Sequence, residues 1–356
     1  MKVVVLGGGS TGEHFVGALR RFGDESDITL VESRLVGGEC SYFACMPTKT
    51  MLRTTELGSS LERAPGLHGQ RPEQDGVWSW RDWMTSDWDD SGQLHYLQDW
   101  NCRLVRGEGR VAEPGVVEVD GQRIEYDRLV LATGSRPAIP PIEGLDSIEY
   151  WTNREATRTH KLPQSLVVMG GGPVGAELAQ FFARMGSDVT VVERGPRLLG
   201  RVHEDAGRLI GDVTGVAQFT HVGKYQARVA AADMTRRYAK ADYRAIPAGI
   251  FTDPEVATVG RTDGDDLVSA RIELSSLPRL STYEKPARDG FVRVFGDPGA
   301  GVLVGAVCVG PQAAEWLGQF TLAIRAKVPV ETIVDTIQPY PTFSEAVTFA
   351  ARDLEL

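Results

Sequence analysis

Cysteine is scarce. Four in 356 residues are too few for the disulfide framework of a small secreted protein. Long apolar runs are also missing. The longest hold about ten residues and are broken by glycine, as between Gly301 and Gly310, whereas a membrane-spanning helix takes about 20. Positive charge is in deficit, with 38 Lys and Arg against 48 Asp and Glu and a net charge of −10. That balance excludes nucleic acid and an anionic membrane surface as main partners. No signal peptide is expected, because the opening MKVVVLGGG reads as a buried strand and its turn; a cytoplasmic protein follows. With 42% hydrophobic and 24% charged residues, the composition is that of a globular chain, and its length suggests two or three domains.

What is present begins with a repeat. Residues 3–33, VVVLGGGSTGEHFVGALRRFGDESDITLVES, and residues 166–194, LVVMGGGPVGAELAQFFARMGSDVTVVER, share one plan. Each runs from an apolar strand through a glycine-rich turn and an amphipathic helix into a second apolar strand ending in an acid. A strand–helix–strand unit used twice predicts parallel sheets and an α/β fold.

The pattern elsewhere is coarser. Residues 45–58 read as a helix, 59–76 as a loop, and 79–100 as one acidic amphipathic helix whose tryptophans pack on a neighbour. Residues 103–132 read as short strands with turns at Glu113–Gly115 and Asp120–Gly121. A helix is expected near 220–236. Short strands follow over 246–310, with turns at Asp253–Pro254, Asp263–Gly264 and Asp297–Pro298, and helices over 312–326 and 345–352. Residues from about 240 onward form a separate α+β domain.

The first turn places Gly7, Gly9 and Gly12 in a G-x-G-x-x-G pattern. The first glycine makes the tight turn, the second admits a pyrophosphate to the backbone, and the third lets helix and strand pack closely. Glu32 follows 20 residues after Gly12, where a carboxylate accepts ribose hydroxyls. Gly170, Gly172 and Gly175 repeat the pattern, and Glu193 closes the second strand. Two such units suggest two dinucleotides, a resident flavin and a mobile nicotinamide. Glu193 favours NAD, while Arg194 and Arg197 suit the 2′-phosphate of NADP; the choice stays open.

A third signal is GGECSYFACMPTK, residues 37–49. On a regular helix the five-residue step from Cys40 to Cys45 rises about 7.5 Å, beyond the ~7 Å reach of a bridgeable pair. If these cysteines bridge, the segment between them is not regular helix. Pro47 belongs in the first turn of the helix that follows, which puts Cys45 near a helix N-terminus, where a thiolate is stabilised. Two unrelated free thiols are the alternative; zinc is disfavoured, as no second pair or His cluster accompanies them. Cys102 and Cys308 read as buried structural thiols.

Together these motifs resemble the flavoprotein disulfide reductases, the pyridine nucleotide-disulfide oxidoreductases that include dihydrolipoamide dehydrogenase, glutathione reductase and mercuric reductase. The resemblance extends to ATGSRP at 132–137, GDVTG at 211–215, FTDPEVATVG and YPTFSE. It implies two Rossmann-like units, one for FAD and one for NAD(P), and a C-terminal α+β dimerisation domain. The domains would be residues 1–160 with 201–239 for FAD, 161–200 for a truncated NAD(P) unit, and 240–356 for the homodimer interface. It implies that Gly7, Gly9, Gly12, Glu32, Gly38, Lys49, Thr133, Gly134 and Asp212 bind FAD, and that Gly170, Gly172, Gly175 and Glu193 bind NAD(P). Cys45 would be the flavin-proximal thiol, Cys40 the interchange thiol, and Lys49 and Glu177 an ion pair beside flavin N5. The helix near Thr220 would aim its N-terminus at the flavin. Electrons would pass from NAD(P)H through FAD to a Cys40–Cys45 disulfide and on to a small-molecule disulfide acceptor.

Two departures matter. Tyr340 stands where the family's acid–base dyad has histidine, with Glu345 in place; tyrosine's reference pKa of ~10, against ~6.5 for histidine, makes a poor proton shuttle. Only 17 residues separate Glu193 from Gly211, too few for the remaining strands of a dinucleotide half-domain. Three readings are therefore carried: an NAD(P)H-driven disulfide reductase, an internally deleted FAD-binding member without NAD(P)H turnover, and a flavin-dependent quinone reductase.

Overall fold

The computed structural model describes residues 1–68, 71–200, 202–205, 220–237, 239–283 and 289–355. The chain folds as two compact units, Met1–Thr50 with Trp78–His160 and Gln218–Ala241, and Met51–Val77 with Lys161–Ala217 and Asp242–Leu356.

In the first unit, strands β1 (Lys2–Leu6), β2 (Asp27–Glu32), β3 (Cys102–Arg106) and β7 (Arg128–Leu131) form a parallel sheet in the order β3-β2-β1-β7. β1 pairs in register with β2 from Lys2↔Asp27 to Leu6↔Val31. The unbroken apolar run of β1 is explained by burial of both sheet faces. Val3 and Val5 pack with Phe15, Val16 and Leu19 of helix α1 (Ser10–Arg21) and with Ala227 and Ala231 of α8 (Thr220–Met234). Val4 and Leu6 pack instead with Val117, Val119 and Ile124 of a small antiparallel sheet, β4 (Gly109–Glu113), β5 (Val116–Val119) and β6 (Gln122–Glu125).

The expected single helix over 79–100 is two. Helix α4 spans Gln74–Met84 and α5 spans Ser91–Asp99, with one 3-10 turn at Ser86–Trp88 between them. The acidic run breaks the helix because its short side chains bind other backbone groups. Asp89 accepts the Ser91 amide at 2.7 Å, and Asp90 accepts the amide of Val36 at 2.7 Å. The expected loop at 59–76 is shorter than read, since α3 runs Cys45–Glu62. The tryptophans divide: Trp78 is buried and Trp83 exposed. Between Trp78 and Trp88 lies the guanidinium of the fully buried Arg81, 5.0 and 5.2 Å from the two ring centres. Arg81 also donates to the carbonyls of Thr157 and Thr159, tying down the end of α6 (Asn153–Arg158).

In the second unit, β8 (Ser165–Met169) and β9 (Asp188–Val192) pair in parallel around helix α7 (Pro173–Met185). A five-stranded antiparallel sheet follows, β10 (Pro247–Ile250), β11 (Glu255–Gly260), β14 (Val302–Gly310), β13 (Phe291–Asp297) and β12 (Val268–Glu273), in that spatial order. One face, with Val292, Val294 and Cys308, packs on Trp316, Leu317 and Phe320 of α10 (Ala313–Ala326) and on Ala346 and Ala350 of α12 (Glu345–Arg352). The other, with Phe291, Phe295, Val307 and Val309, joins a cluster that includes Ala176 of α7 and Leu199. Cys102 and Cys308 are buried free thiols. The fold is α/β, with two Rossmann-like units and a C-terminal α+β part.

Candidate functional site

The first glycine turn is built by backbone contact. Gly7 has φ +102°, and a Cβ there would lie 2.2 Å from the Ala132 carbonyl oxygen. A Cβ on Gly12 would lie 2.0 Å from the Gly7 carbonyl oxygen, and one on Gly38, at φ +61°, 2.8 Å from the Gly9 Cα. Only glycine fits at these three points. Glu32 holds the turn with both oxygens, accepting the amides of Gly8 and Arg34 at 2.7 Å each. Helix α1 has no side-chain cap at Gly9, so its first N–H groups are available to an anion. Thr133 and Gly134 follow β7 at an exposed bend, with Gly134 at φ +68°. Turn, helix end and bend together suit a dinucleotide pyrophosphate. Asp212 lies outside the described residues.

The cysteines sit on either side of a helix break. Cys40 belongs to the short helix α2 (Gly38–Tyr42), which stops at Phe43 with φ −136° and ψ 0°. Cys45 is the first residue of α3, and Pro47 stands in its first turn. The break has its own supports. Asn153 Nδ2 donates to the Phe43 carbonyl at 2.8 Å. Arg154 pairs with Glu39 and lies 5.1 Å from the Phe43 ring centre. Tyr42 donates to Gln93 at 2.8 Å.

Cys40 and Cys45 are free thiols that hydrogen-bond to one another. Thr220, the first described residue of α8, places its Oγ1 3.3 Å from Cys45 Sγ. The Cys40 hydrogen bond, helped by Thr220 and by the charge of Lys49 one turn along α3, lowers the Cys45 pKa to about 6 against burial. Cys40 moves the other way, well above its ordinary range, through its hydrogen bond to Cys45, burial and the Cys45 charge. The two shifts favour a proton on Cys40 over one on Cys45. Close by on α1, burial pushes Glu13 up to about 7, opposed by the charge of Lys224 on α8.

The second glycine turn has the bonding of the first. Glu193 accepts the amides of Gly171 at 3.1 Å and Gly195 at 2.7 Å. Gly170 has φ +86°, and a Cβ on Gly175 would lie 2.1 Å from its carbonyl oxygen. Gly172 precedes α7, with Pro173 opening the helix. Arg197 donates to the carbonyls of Leu199, Gly200 and Val202 at 3.0–3.2 Å. These bonds engage the side chain that the sequence offered to a 2′-phosphate. Among the described residues this unit has two strands, β8 and β9, with Val167, Met169 and Val192 exposed on one face.

Glu177 is buried on α7, and its Oε1 accepts the Phe251 amide at 2.9 Å. One and two turns further along, Gln180 accepts the Asp253 amide at 2.8 Å and Arg184 pairs with the Asp253 carboxylate at 2.7 Å. One face of α7 therefore holds the turn after β10. Tyr340 is 73% exposed. Glu345, buried at the start of α12, accepts the Thr342 amide at 3.1 Å. Gly7, Gly9, Gly12, Glu32, Gly38, Cys40, Cys45, Lys49, Thr133 and Gly134 thus belong to the first unit; Gly170, Gly172, Gly175, Glu177, Glu193, Tyr340 and Glu345 belong to the second. Sequence reasoning missed Thr220 as a partner of Cys45, and also Asn153, Gln180 and Asp253. None belongs to a local motif with the residue it binds.

Among the described residues no group of His, Cys, Asp and Glu suits a metal ion, and no helix is long and apolar enough to cross a membrane. The pyridine nucleotide-disulphide oxidoreductase model matches residues 1–216, and that family's dimerisation domain matches residues 246–351. A mercuric reductase of Serratia marcescens is 30% identical, over 99% of this chain and 76% of its own length. A dihydrolipoyl dehydrogenase of Halobacterium salinarum is 28% identical, over 98% of this chain and 95% of its own. That second alignment runs over 455 residues, about a hundred more than this chain contains. The crystal structure of LpdA from Mycobacterium tuberculosis shares the fold, with a TM-score of 0.82 at 20% identity and 99% coverage of both chains.

Proposed function

Since the chain belongs to the pyridine nucleotide-disulphide oxidoreductase family, we propose that it is a flavin-dependent dithiol–disulfide oxidoreductase in which Cys40 and Cys45 pass electrons to a small disulfide acceptor. The observation that carries this is the Cys40–Cys45–Thr220 cluster, in which the Cys45 pKa is drawn down and the Cys40 pKa driven up.

Residues 1–160 and 201–239 would form the FAD domain, 161–200 the truncated NAD(P) unit, and 240–356 the dimerisation domain of a homodimer. FAD would be held by Gly7, Gly9 and Gly12 at its pyrophosphate, by Glu32 at its ribose, and by Gly38, Lys49, Thr133, Gly134 and Asp212. Lys49 and Glu177 would form the ion pair beside the flavin. When bound, FAD supplies the two electrons that reduce the cysteine pair, received from NAD(P)H. Exposed Ile337 and Tyr340, 96% and 73% accessible, suit a partner-facing surface.

The residues' own chemistry balances. The Cys40 proton moves onto the Cys45 sulfur to which it is hydrogen-bonded, and the Cys40 thiolate attacks the acceptor disulfide. One acceptor sulfur leaves and takes that proton. Cys45, a thiolate again, attacks Cys40 and releases the second acceptor sulfur, which takes a proton from water. Two electrons have left the pair, which is now a disulfide. Cys45 serves as the local base, so the first proton need not come from Tyr340, a poor shuttle at neutral pH.

A second reading is an internally deleted, FAD-binding member without NAD(P)H turnover. The two strands, β8 and β9, that this unit has among the described residues and the shortfall of about a hundred residues against the Halobacterium protein favour it. A quinone reductase is the third, since a quinone acceptor needs no proton on a departing thiolate. The test is a set of assays on the purified yellow holoprotein. Rapid anaerobic bleaching of the flavin band by NADH or NADPH is expected, as is disulfide turnover abolished by Cys45→Ser. Bleaching by neither nucleotide selects the second reading. Turnover of a disulfide that survives Cys45→Ser overturns the first.

A further inference from the structure

We propose that Thr220 is a positioning residue for the redox pair, its hydroxyl donating a hydrogen bond to the Cys45 sulfur while Cys40 is engaged elsewhere. The use of this contact rests on the dithiol–disulfide reading above; its geometry does not.

The contact joins residues 175 apart in the chain, with Thr220 Oγ1 3.3 Å from Cys45 Sγ. Cys45 opens α3, and Thr220 is the first described residue of α8. The sulfur therefore stands at the N-terminus of α3, which favours negative charge. A thiolate has no proton to give, so with Cys45 ionised the hydroxyl must be the donor. α8 is fixed close to α1: a Cβ on Gly223 would lie 2.2 Å from Thr11 Oγ1, and Ala227 and Ala231 are buried with Phe15 and Leu19. Thr220 is thus placed by packed helix, one turn before Gly223.

Cys40 also donates to Cys45, but it is a temporary donor. Once Cys40 gives up its proton and bonds to an acceptor sulfur, its S–H no longer exists. Cys45 must still be a thiolate to attack Cys40 and release the second product. At that stage Thr220 is the hydroxyl that remains on the sulfur.

The experiment measures the pH dependence of Cys45 alkylation by iodoacetamide in the dithiothreitol-reduced, desalted holoprotein, with the Cys45 peptide quantified by mass spectrometry. Wild type is compared with Thr220→Val, which keeps the shape without the hydroxyl, and Thr220→Ser, which keeps the hydroxyl. Thr220→Ala is a second hydroxyl-free variant, in case valine disturbs the first turn of α8. The wild-type midpoint is expected near pH 6. Loss of the hydroxyl is expected to raise it by about one pH unit, while Ser should stay within a few tenths of wild type. A depressed wild-type midpoint that neither Val nor Ala moves overturns the proposal alone, as does a Ser variant that shifts as far as Val. A wild-type midpoint like that of a free cysteine overturns the dithiol–disulfide reading, and this inference with it.

Discussion

The Glu193 carboxylate accepts the amide of Gly171 at 3.1 Å, the bond that Glu32 makes to Gly8 at 2.7 Å in the first unit. The other oxygen of each acid accepts the amide two residues beyond it, that of Gly195 or Arg34. The repeat visible in the sequence is therefore a repeat of hydrogen bonds. In both units the acid at the end of the second strand shapes the turn after the first.

The two turns can be tested separately. A methyl group on Gly12 would meet the Gly7 carbonyl at 2.0 Å, and one on Gly175 the Gly170 carbonyl at 2.1 Å; backbone cannot yield cheaply at such distances. Gly12→Ala is expected to give colourless protein. Gly175→Ala is expected to retain the flavin spectrum and to lose NAD(P)H bleaching wherever wild type shows it. Absorbance spectra of the purified variants decide, and a yellow Gly12→Ala protein would refute the assignment of the first turn.

In the reduced protein Cys45 should contribute more stability as pH rises. Cys45 ionises near 6 when folded and near its ordinary 9.0 when unfolded, so between these values the unfolded chain binds more protons and stability climbs. Above about 9 the raised Cys40 pKa reverses the slope, because the unfolded Cys40 loses its proton first. Thermal melts of the reduced protein from pH 6 to 10 should show the rise, and Cys45→Ser should remove it.

Glu255 contributes the opposite slope. Burial pushes its pKa up to about 7, though it accepts the Ala314 amide at 3.1 Å at the start of α10. The unfolded carboxyl ionises from its ordinary 4.5, so this group's contribution is full below pH 4.5 and is lost as pH rises through 7. Glu255→Gln keeps an acceptor for the amide and has no charge to bury. It should raise the Tm at pH 8 by a few degrees and leave the Tm at pH 4 near wild type.

Asp253 links two arginines, Arg63 at 3.2 Å and Arg184 at 2.7 Å, with its side chain 7% exposed. Asp253→Ala leaves two half-buried guanidinium groups facing an uncharged site and should cost about 3 kcal/mol. Asp253→Asn should recover little of this, because the missing element is charge. Urea denaturation of the three proteins checks both statements.

Much of the fold was legible because it rests on local pattern. The continuous apolar run of β1, its glycine turn and the amphipathic stretch of α1 are consecutive residues, and each obeys a period that sequence displays. The α4–α5 break was misread for the converse reason. Asp90 binds Val36, and that competition for the acidic side chain is invisible in a helical period. The contact of Glu177 with Phe251 was not legible either. The place of Glu177 on α7 followed from the repeat, but its bond to Phe251 crosses 74 residues and depends on how α7 meets β10.

Sequence alone determined the two glycine turns, the position of the cysteine pair and the family, since each is written in contiguous residues whose spacing reflects a short-range steric or hydrogen-bonding need. The tertiary structure decided which groups surround the Cys45 sulfur beyond its own helix. That depends on a helix break held by Asn153 and on Thr220 arriving from 175 residues away. Electrostatics at a buried sulfur follows distance in space, and no rule of spacing along the chain encodes it.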